Sequence, residues 1–331
     1  MKFVTISCGL AAFALASAAT AYAQPAESVA AYPSRPVRMI IPFAPGGASD
    51  FIGRILQPKL GEALGQQVVI DNRSGASGNI GVRVAAESTP DGYTLLLGNV
   101  SAMGINPSMF PNFPVRAMSD FVGISLVVDV PGALGVYGGL PVGNLTEFIA
   151  YAMENKGKLA YGSAGYGSAQ RMAFEYFMKT AGISLLHVPY KGGAGAATIA
   201  TLSGEIAATM VTTASLVPHM NSGKIKILAV VSRRRIKALP DVPTMVESGF
   251  PELNLGSWQG IFVPKGTPKP IIDKLFGIVT KVVHDPWVGE QYERVSAQQI
   301  TSDSLEDFAS FMKEQNAFWA KVIKEVGIKT Q

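Results

Sequence analysis

The chain has one cysteine, Cys8, among 331 residues. It lies inside an opening apolar run from Phe3 to about Thr20, so the rest of the sequence carries no thiol. Disulfides and cysteine nucleophiles are thereby excluded, and a thiol-free chain suits an oxidising compartment. Charge is also scarce, with 16% charged residues and a net charge of +4. So mild a balance, with no basic stripe interleaved with aromatics, excludes nucleic acid as a partner. The three histidines, His187, His219 and His284, are isolated and have no metal-ligand spacing. Neither a metal nor a cofactor is expected. A nucleotide loop of the form G-x-x-x-x-G-K-S/T is missing, and so is a G-x-S-x-G nucleophile elbow. Gly165-Tyr166-Gly167 has Gln170 where a third dinucleotide-binding glycine would stand. After the opening run, no other apolar stretch reaches membrane-spanning length.

What is present begins with Met1-Lys2, the apolar run, and a small-x-small site at Ala21-Tyr22-Ala23 before Gln24. This layout predicts a secretory signal peptide over 1–23 and a periplasmic mature protein. A membrane anchor is disfavoured, because the run is rich in Ala and Ser and no basic cluster follows it. A lipoprotein site is disfavoured by the early position of Cys8 and by the Thr5-Ile6-Ser7 before it. Removing the leader takes only Lys2 from the charge count, leaving +3 on 308 residues, room for two domains.

Residues 24–35 read as a flexible arm. Beyond them short apolar runs alternate with segments of helical spacing. Strands are expected at 37–43, 68–70, 94–97, 123–128, 134–136, 158–161, 184–188, 207–211, 225–231 and 260–263. Helices are expected at 51–64, 80–87, 145–156, 169–181, 195–202, 270–284 and 305–326. Phe51, Ile52, Ile55, Leu56 and Leu60 share one side of the first. Such alternation predicts an α/β protein with two mainly parallel sheets flanked by helices. The segments Val130-Pro131-Gly132 and Asn254–Trp258 read as crossings between the sheets. Residues 36–130 and 259–331 then form one lobe and 131–258 the other, with a hinge between them.

Four glycine-rich loops fall between a strand and a helix: 45–50, 74–79, 162–168 and 191–195. Glycine lets backbone amides approach a ligand, and a helix start offers unpaired N–H groups and a positive dipole end. Loops at the carboxyl ends of parallel strands line the usual ligand crevice. Several of them facing one cleft would hold an anion with neutral donors; alone, each is equally read as a tight turn. Phe43, Tyr166 and Trp258, at loop ends, are candidates to pack on a ligand's carbon skeleton. His187 reads as a satisfied, partly buried residue. The run Arg233-Arg234-Arg235 with Lys237 reads as a solvated face.

At these loops the sequence resembles the Bug family, the substrate receptors of tripartite tricarboxylate transporters. The resemblance rests on Arg38–Asp50, Val69–Gly81, Pro90–Leu95, Tyr161–Gly165, His187–Gly192, Leu239–Thr244 and Pro264–Pro268, and it covers essentially the whole mature chain. It implies a two-lobed periplasmic binding protein that is not an enzyme, takes up a small carboxylate and serves an integral-membrane permease. Carried over by position, Phe43, Gly46, Gly47, Ala48, Ser49 and Asp50 belong to the first wall, with Gly75, Ala76, Ser77, Gly78 and Asn79. Ser163, Gly165, Gly167, Ser168 and Lys191 lie opposite. Gln170-Arg171 departs from the family pattern, and Arg171, if it faces the cleft, would contact a second carboxylate or an aromatic face. Val211 and Thr212 stand where many members carry an Asp–Asn pair, which weakens the case for an amino-acid ligand. Di- and tricarboxylates and aromatic acids all stay open as ligands. A monomer is expected. Two rival readings are a receptor feeding a sensor kinase and a hydrolase with Ser49 or Ser163 as nucleophile.

Overall fold

Helices cover both faces of the central strand Thr94–Asn99, and for that reason all six of its residues are buried. The computed structural model describes residues 31–163, 165, 168–190, 193–254 and 256–327. The expected signal peptide and most of the arm lie outside them. From Pro33 onward the chain forms one compact unit.

Its elements run β1 (Val37–Ile41), α1 (Ala48–Leu64), β2 (Val68–Asn72), α2 (Asn79–Ala86), β3 (Thr94–Asn99), α3 (Asn106–Met109) and β4 (Phe121–Val130). Then come β5 (Gly132–Tyr137), α4 (Leu145–Glu154), β6 (Ala160–Ser163), α5 (Ala169–Ala181), β7 (Leu186–Pro189), α6 (Gly193–Ser203), β8 (Ala208–Thr212), α7 (Thr213–Leu216) and β9 (Ile225–Val231). The last are β10 (Ser257–Pro264), α8 (Lys269–Val283), α9 (Pro286–Arg294), β11 (Gln298–Gln299) and α10 (Leu305–Val326). The first helix starts three residues before the expected Phe51, and Phe51 itself is 52% exposed rather than part of the inner stripe.

Two sheets result, in the orders β11-β4-β10-β3-β1-β2 and β7-β6-β8-β5-β9. The expectation that both would be mainly parallel needs correction. β1 is parallel to β2 and β3, and β6 to β7 and β8, but β10 is antiparallel to β3 and β4, and β5 to β8 and β9. Connectivity dictates this. β4 leaves the first sheet through Pro131 into β5, and β9 leaves the second through residues 232–256 into β10. A chain that exits and re-enters a sheet at the same end must return antiparallel to the strand it left.

Strand register locates the ends. Gly132 of β5 pairs with Thr212 at the close of β8, and Gln259 of β10 pairs with Asn99 at the close of β3. The parallel strands of both sheets therefore finish at the two linking segments. There the links touch: a Cβ on Gly256 would lie 2.3 Å from the Val130 carbonyl oxygen and 2.7 Å from Pro131 Cα. Only glycine permits that approach.

α10 carries buried Phe308, Phe311, Met312, Trp319, Val322 and Ile323 at three- and four-residue spacing, and Ser304 caps its start by accepting the Asp307 N–H at 3.1 Å. It packs on the first sheet and also meets α5, where the Tyr176 and Phe318 rings lie 5.8 Å apart at 71°.

Candidate functional site

The first wall is a lattice of side-chain hydrogen bonds linking three loops. Asp50, in the first turn of α1, is 3% exposed. Its carboxylate accepts the Gly46 N–H at 2.9 Å, Arg54 Nε at 2.9 Å and Asn72 Nδ2 at 3.1 Å. The bond from Arg54 holds this carboxyl below its ordinary range against the effect of burial, with Gly46 and Asn72 adding to it. Asn72 also donates to the Phe43 carbonyl at 3.0 Å, which ties the end of β2 to the loop after β1. Asn99 Nδ2 donates to Ser49 Oγ at 3.2 Å, while its Oδ1 accepts the Ala102 N–H at 3.0 Å and starts a wide π-helical turn, Val100–Ile105.

The loop after β2 is strained. Gly75, Ala76, Ser77 and Gly78 all have positive φ, at 127°, 46°, 57° and 96°. For Ala76 and Ser77 this costs about 1–3 kcal/mol each. Asn106 holds the turn in place: its Nδ2 donates to the Ser77 carbonyl and to Asn79 Oδ1, both at 2.8 Å. Gly78 lies where a Cβ would come 3.1 Å from Phe43 Cζ and 3.3 Å from Ala102 Cβ. The predicted first-wall residues Phe43, Gly46, Ser49, Asp50, Ser77, Gly78 and Asn79 are thus joined through these bonds and contacts. Gly47 is the N-cap of α1, Ala48 its first residue, and Gly75 and Ala76 open the strained turn.

The second wall is braced mostly within itself. Ser163 Oγ lies 2.7 Å from His187 Nε2 and accepts the Gly165 N–H at 3.2 Å. Ser168 caps α5 by accepting the Arg171 N–H at 3.3 Å and donates back to the Gly165 carbonyl at 3.0 Å. Burial and then the nearby Arg171 charge depress His187 to about 4, so its ring is neutral at physiological pH. Arg171 is buried and lies 3.5 Å from Glu175 in an i,i+4 pair. Tyr161 donates to that same Glu175 and stacks on Phe174 at 4.1 Å.

Several predicted contacts take other places. Trp258, expected against a ligand, is fully buried in β10; its indole donates to Gln315 Oε1 at 2.8 Å and packs on Phe311. Ser163 is fully buried at the end of β6, and Asp50 is occupied by Arg54 and Asn72. Tyr166, Gly167 and Lys191 lie outside the described residues. Sequence reasoning did not pick out Asn99 and Asn106, although an Asn closing an apolar strand before a helical turn is a recognisable cap. Among the described residues no group of three or more His, Cys, Asp or Glu is placed to hold a metal, and no helix is long and apolar enough to cross a membrane.

The arrangement presents neutral donors. Helices α1, α2, α5, α6 and α7 begin close after the strands that end at the links, and the one first-wall carboxylate is paired to a cation. Residues 52–328 match the model of a family described as "Tripartite tricarboxylate transporter family receptor". Protein BugT of Bordetella pertussis is 35% identical over 299 residues, spanning 90% of this chain and 91% of that protein. The periplasmic binding protein BugD superposes with a TM-score of 0.76 at 35% identity, covering 91% of this chain and all of that one. R. palustris Rpa4515, solved with adipate, has a TM-score of 0.78 at 30% identity, with 90% and 99% coverage.

Proposed function

The chain belongs to the tripartite tricarboxylate transporter receptor family, and from that premise we propose that it captures a small carboxylate between two lobes in the periplasm and delivers it to an integral-membrane permease. Receptors of this family bind solutes. The observation that carries the finer reading is the register of Gly132 with Thr212 and of Gln259 with Asn99. It turns the helix starts of both sheets toward the same linking segments. A carboxylate there meets unpaired N–H groups and positive dipole ends, each worth about 0.3–1 kcal/mol, without a fixed cation to desolvate. Adipate in the R. palustris relative points to dicarboxylates as the first class to try.

The lobes are residues 36–130 with 259–331, and residues 131–258. They close by bending at the two links. Export by cleavage after Ala23 is part of the same reading. Delivery to a sensor kinase would use the same closed form; co-purification with permease subunits favours transport.

The test is a thermal-shift screen of the mature protein against mono-, di- and tricarboxylates and aromatic acids. A true ligand raises the melting temperature by mass action, about 2.7 kcal/mol at a hundredfold excess over Kd. Gly47→Val should keep the fold, because an added Cβ there meets only the Ala44 carbonyl oxygen at 3.4 Å, yet obstruct the first wall and remove the shift. EDTA should leave the shift intact. No response to any acid, or an unchanged response in Gly47→Val, would sink the assignment. The Ser163–His187 contact is the one observation favouring a hydrolase. Against it, Ser163 is buried and already accepts the Gly165 N–H. Stoichiometric binding without turnover of the bound acid or its esters disposes of that reading.

A further inference from the structure

Asp129 stands one residue before the end of β4, beside the link at Pro131, and is 3% exposed. Strand pairing sets it opposite Trp258 on β10 and Gln298 on β11, neither of them charged. Its carboxyl accepts the backbone N–H of Gly256, on the returning link. Its Oδ1 has no hydrogen-bond partner among the described residues. The charge that reaches it is that of Arg233, just past the end of β9 on the second sheet's side. Arg233 also lines a cavity of about 180 Å³ with Glu252 and Glu314, next to Gln315 and Trp319 of α10. Burial raises the Asp129 carboxyl to about 7, although the Gly256 N–H and Arg233 both favour the ionised form.

The groups around this acid belong to different segments. Asp129 itself sits on the outgoing strand; Gly256 and Arg233 sit on the segment that returns from the second sheet. Separating the sheets would change those contacts and admit water to the free oxygen. We propose that Asp129 is a proton-linked hinge: with the links packed together its carboxyl stays neutral, and parting the lobes hydrates it and lets it ionise. The inference rests on the lobe closure proposed above.

The direction follows from linkage. The packed state binds the proton more tightly, so a rise in pH from the ordinary carboxylate range to about 7 drives the equilibrium toward the open state. The packed-to-open ratio should fall by up to about tenfold per pH unit over that window and level off above it.

The mature protein, whose only cysteine, Cys8, leaves with the leader, accepts spin labels at Met118→Cys and Ile199→Cys, both exposed sites. Distance distributions from pH 5 to 8, without ligand, should show a growing long-distance population that levels near 7. Asp129→Asn should hold its populations constant across the series. Arg233→Gln removes the favourable charge and should move the levelling point to higher pH, which keeps the idea testable if the first variant folds poorly. A wild-type series that does not change with pH, or an Asp129→Asn series that follows the wild type, overturns the proposal. Adipate separates the two claims. If it shortens the label distance while pH leaves the ligand-free populations fixed, lobe closure stands and the hinge proton falls. If adipate raises the melting temperature and neither adipate nor pH moves the labels, closure itself falls with it.

Discussion

The two walls of the candidate site are built on different principles. On the first sheet, Asp50, Asn72, Asn99 and Asn106 tie separate loops to one another, and a run of four residues with positive φ is held in place by Asn106. On the second sheet, Ser163, Gly165 and Ser168 are bonded within one loop, and β6 and β7 are only four residues each. The first wall is preorganised and holds strain that its bonds must offset; the second is a short helix cap on short strands. If the proposed ligand is held between these walls, one half meets it already rigid and the other adapts, so the ordering entropy of binding falls mainly on the second wall.

Substitutions grade that contrast. The largest effect is expected at Gly81→Ala, where the new Cβ would lie 2.6 Å from Pro42 Cα and 2.7 Å from the Arg73 carbonyl oxygen. Backbone on both sides leaves no room to yield, so urea denaturation should show a loss of about 3 kcal/mol or more. Asp50→Ala comes next, at about 2–3 kcal/mol, because it removes the buried acceptor shared by Arg54, Asn72 and the Gly46 N–H. The contribution of Asp50 is complete above its ordinary pKa of 3.8 and is lost as pH falls through the lowered value. Acid unfolding followed by circular dichroism should therefore lose part of its low-pH limb in Asp50→Asn. On the second wall, Ser168→Ala removes a helix cap and should cost about 1 kcal/mol in melting experiments. Last is Gly195→Ala in α6, where nothing lies within 4 Å of the added Cβ. It should be neutral or stabilise by roughly 0.5–1 kcal/mol. If Gly195→Ala proves as damaging as Gly81→Ala, the distinction between a braced and an unbraced wall is wrong.

The sequence carried the α/β alternation, the two-sheet count and both ends of α10, Leu305–Val326, because an amphipathic stripe of 22 residues leaves little choice of boundary. Glycine-rich loops marked the strand-to-helix turns from which the candidate walls are built, since their small residues follow apolar runs. Strand direction was not legible. Whether β5 and β10 run parallel or antiparallel depends on where the chain changes sheet, and local composition says nothing of that. Burial of Ser163 and Trp258 was equally hidden: both lie beside glycines in loop-like context, but strand pairing carries one into β6 and the other into β10. Asn99 and Asn106 escaped notice because their partners, Ser49 and Ser77, are 50 and 29 residues away.

The three tryptophans have a practical consequence. Trp258 and Trp319 are buried and donate to one amide oxygen, Gln315 Oε1, at 2.8 and 3.2 Å, where α10 meets the helix from the other sheet. Trp287 is 39% exposed, with Lys59 Nζ 6.0 Å from its ring. The protein therefore carries its own optical gauge. A blue-shifted emission from the shared pair reads out the seam between the sheets, and quenching by added iodide singles out the third indole as an internal standard.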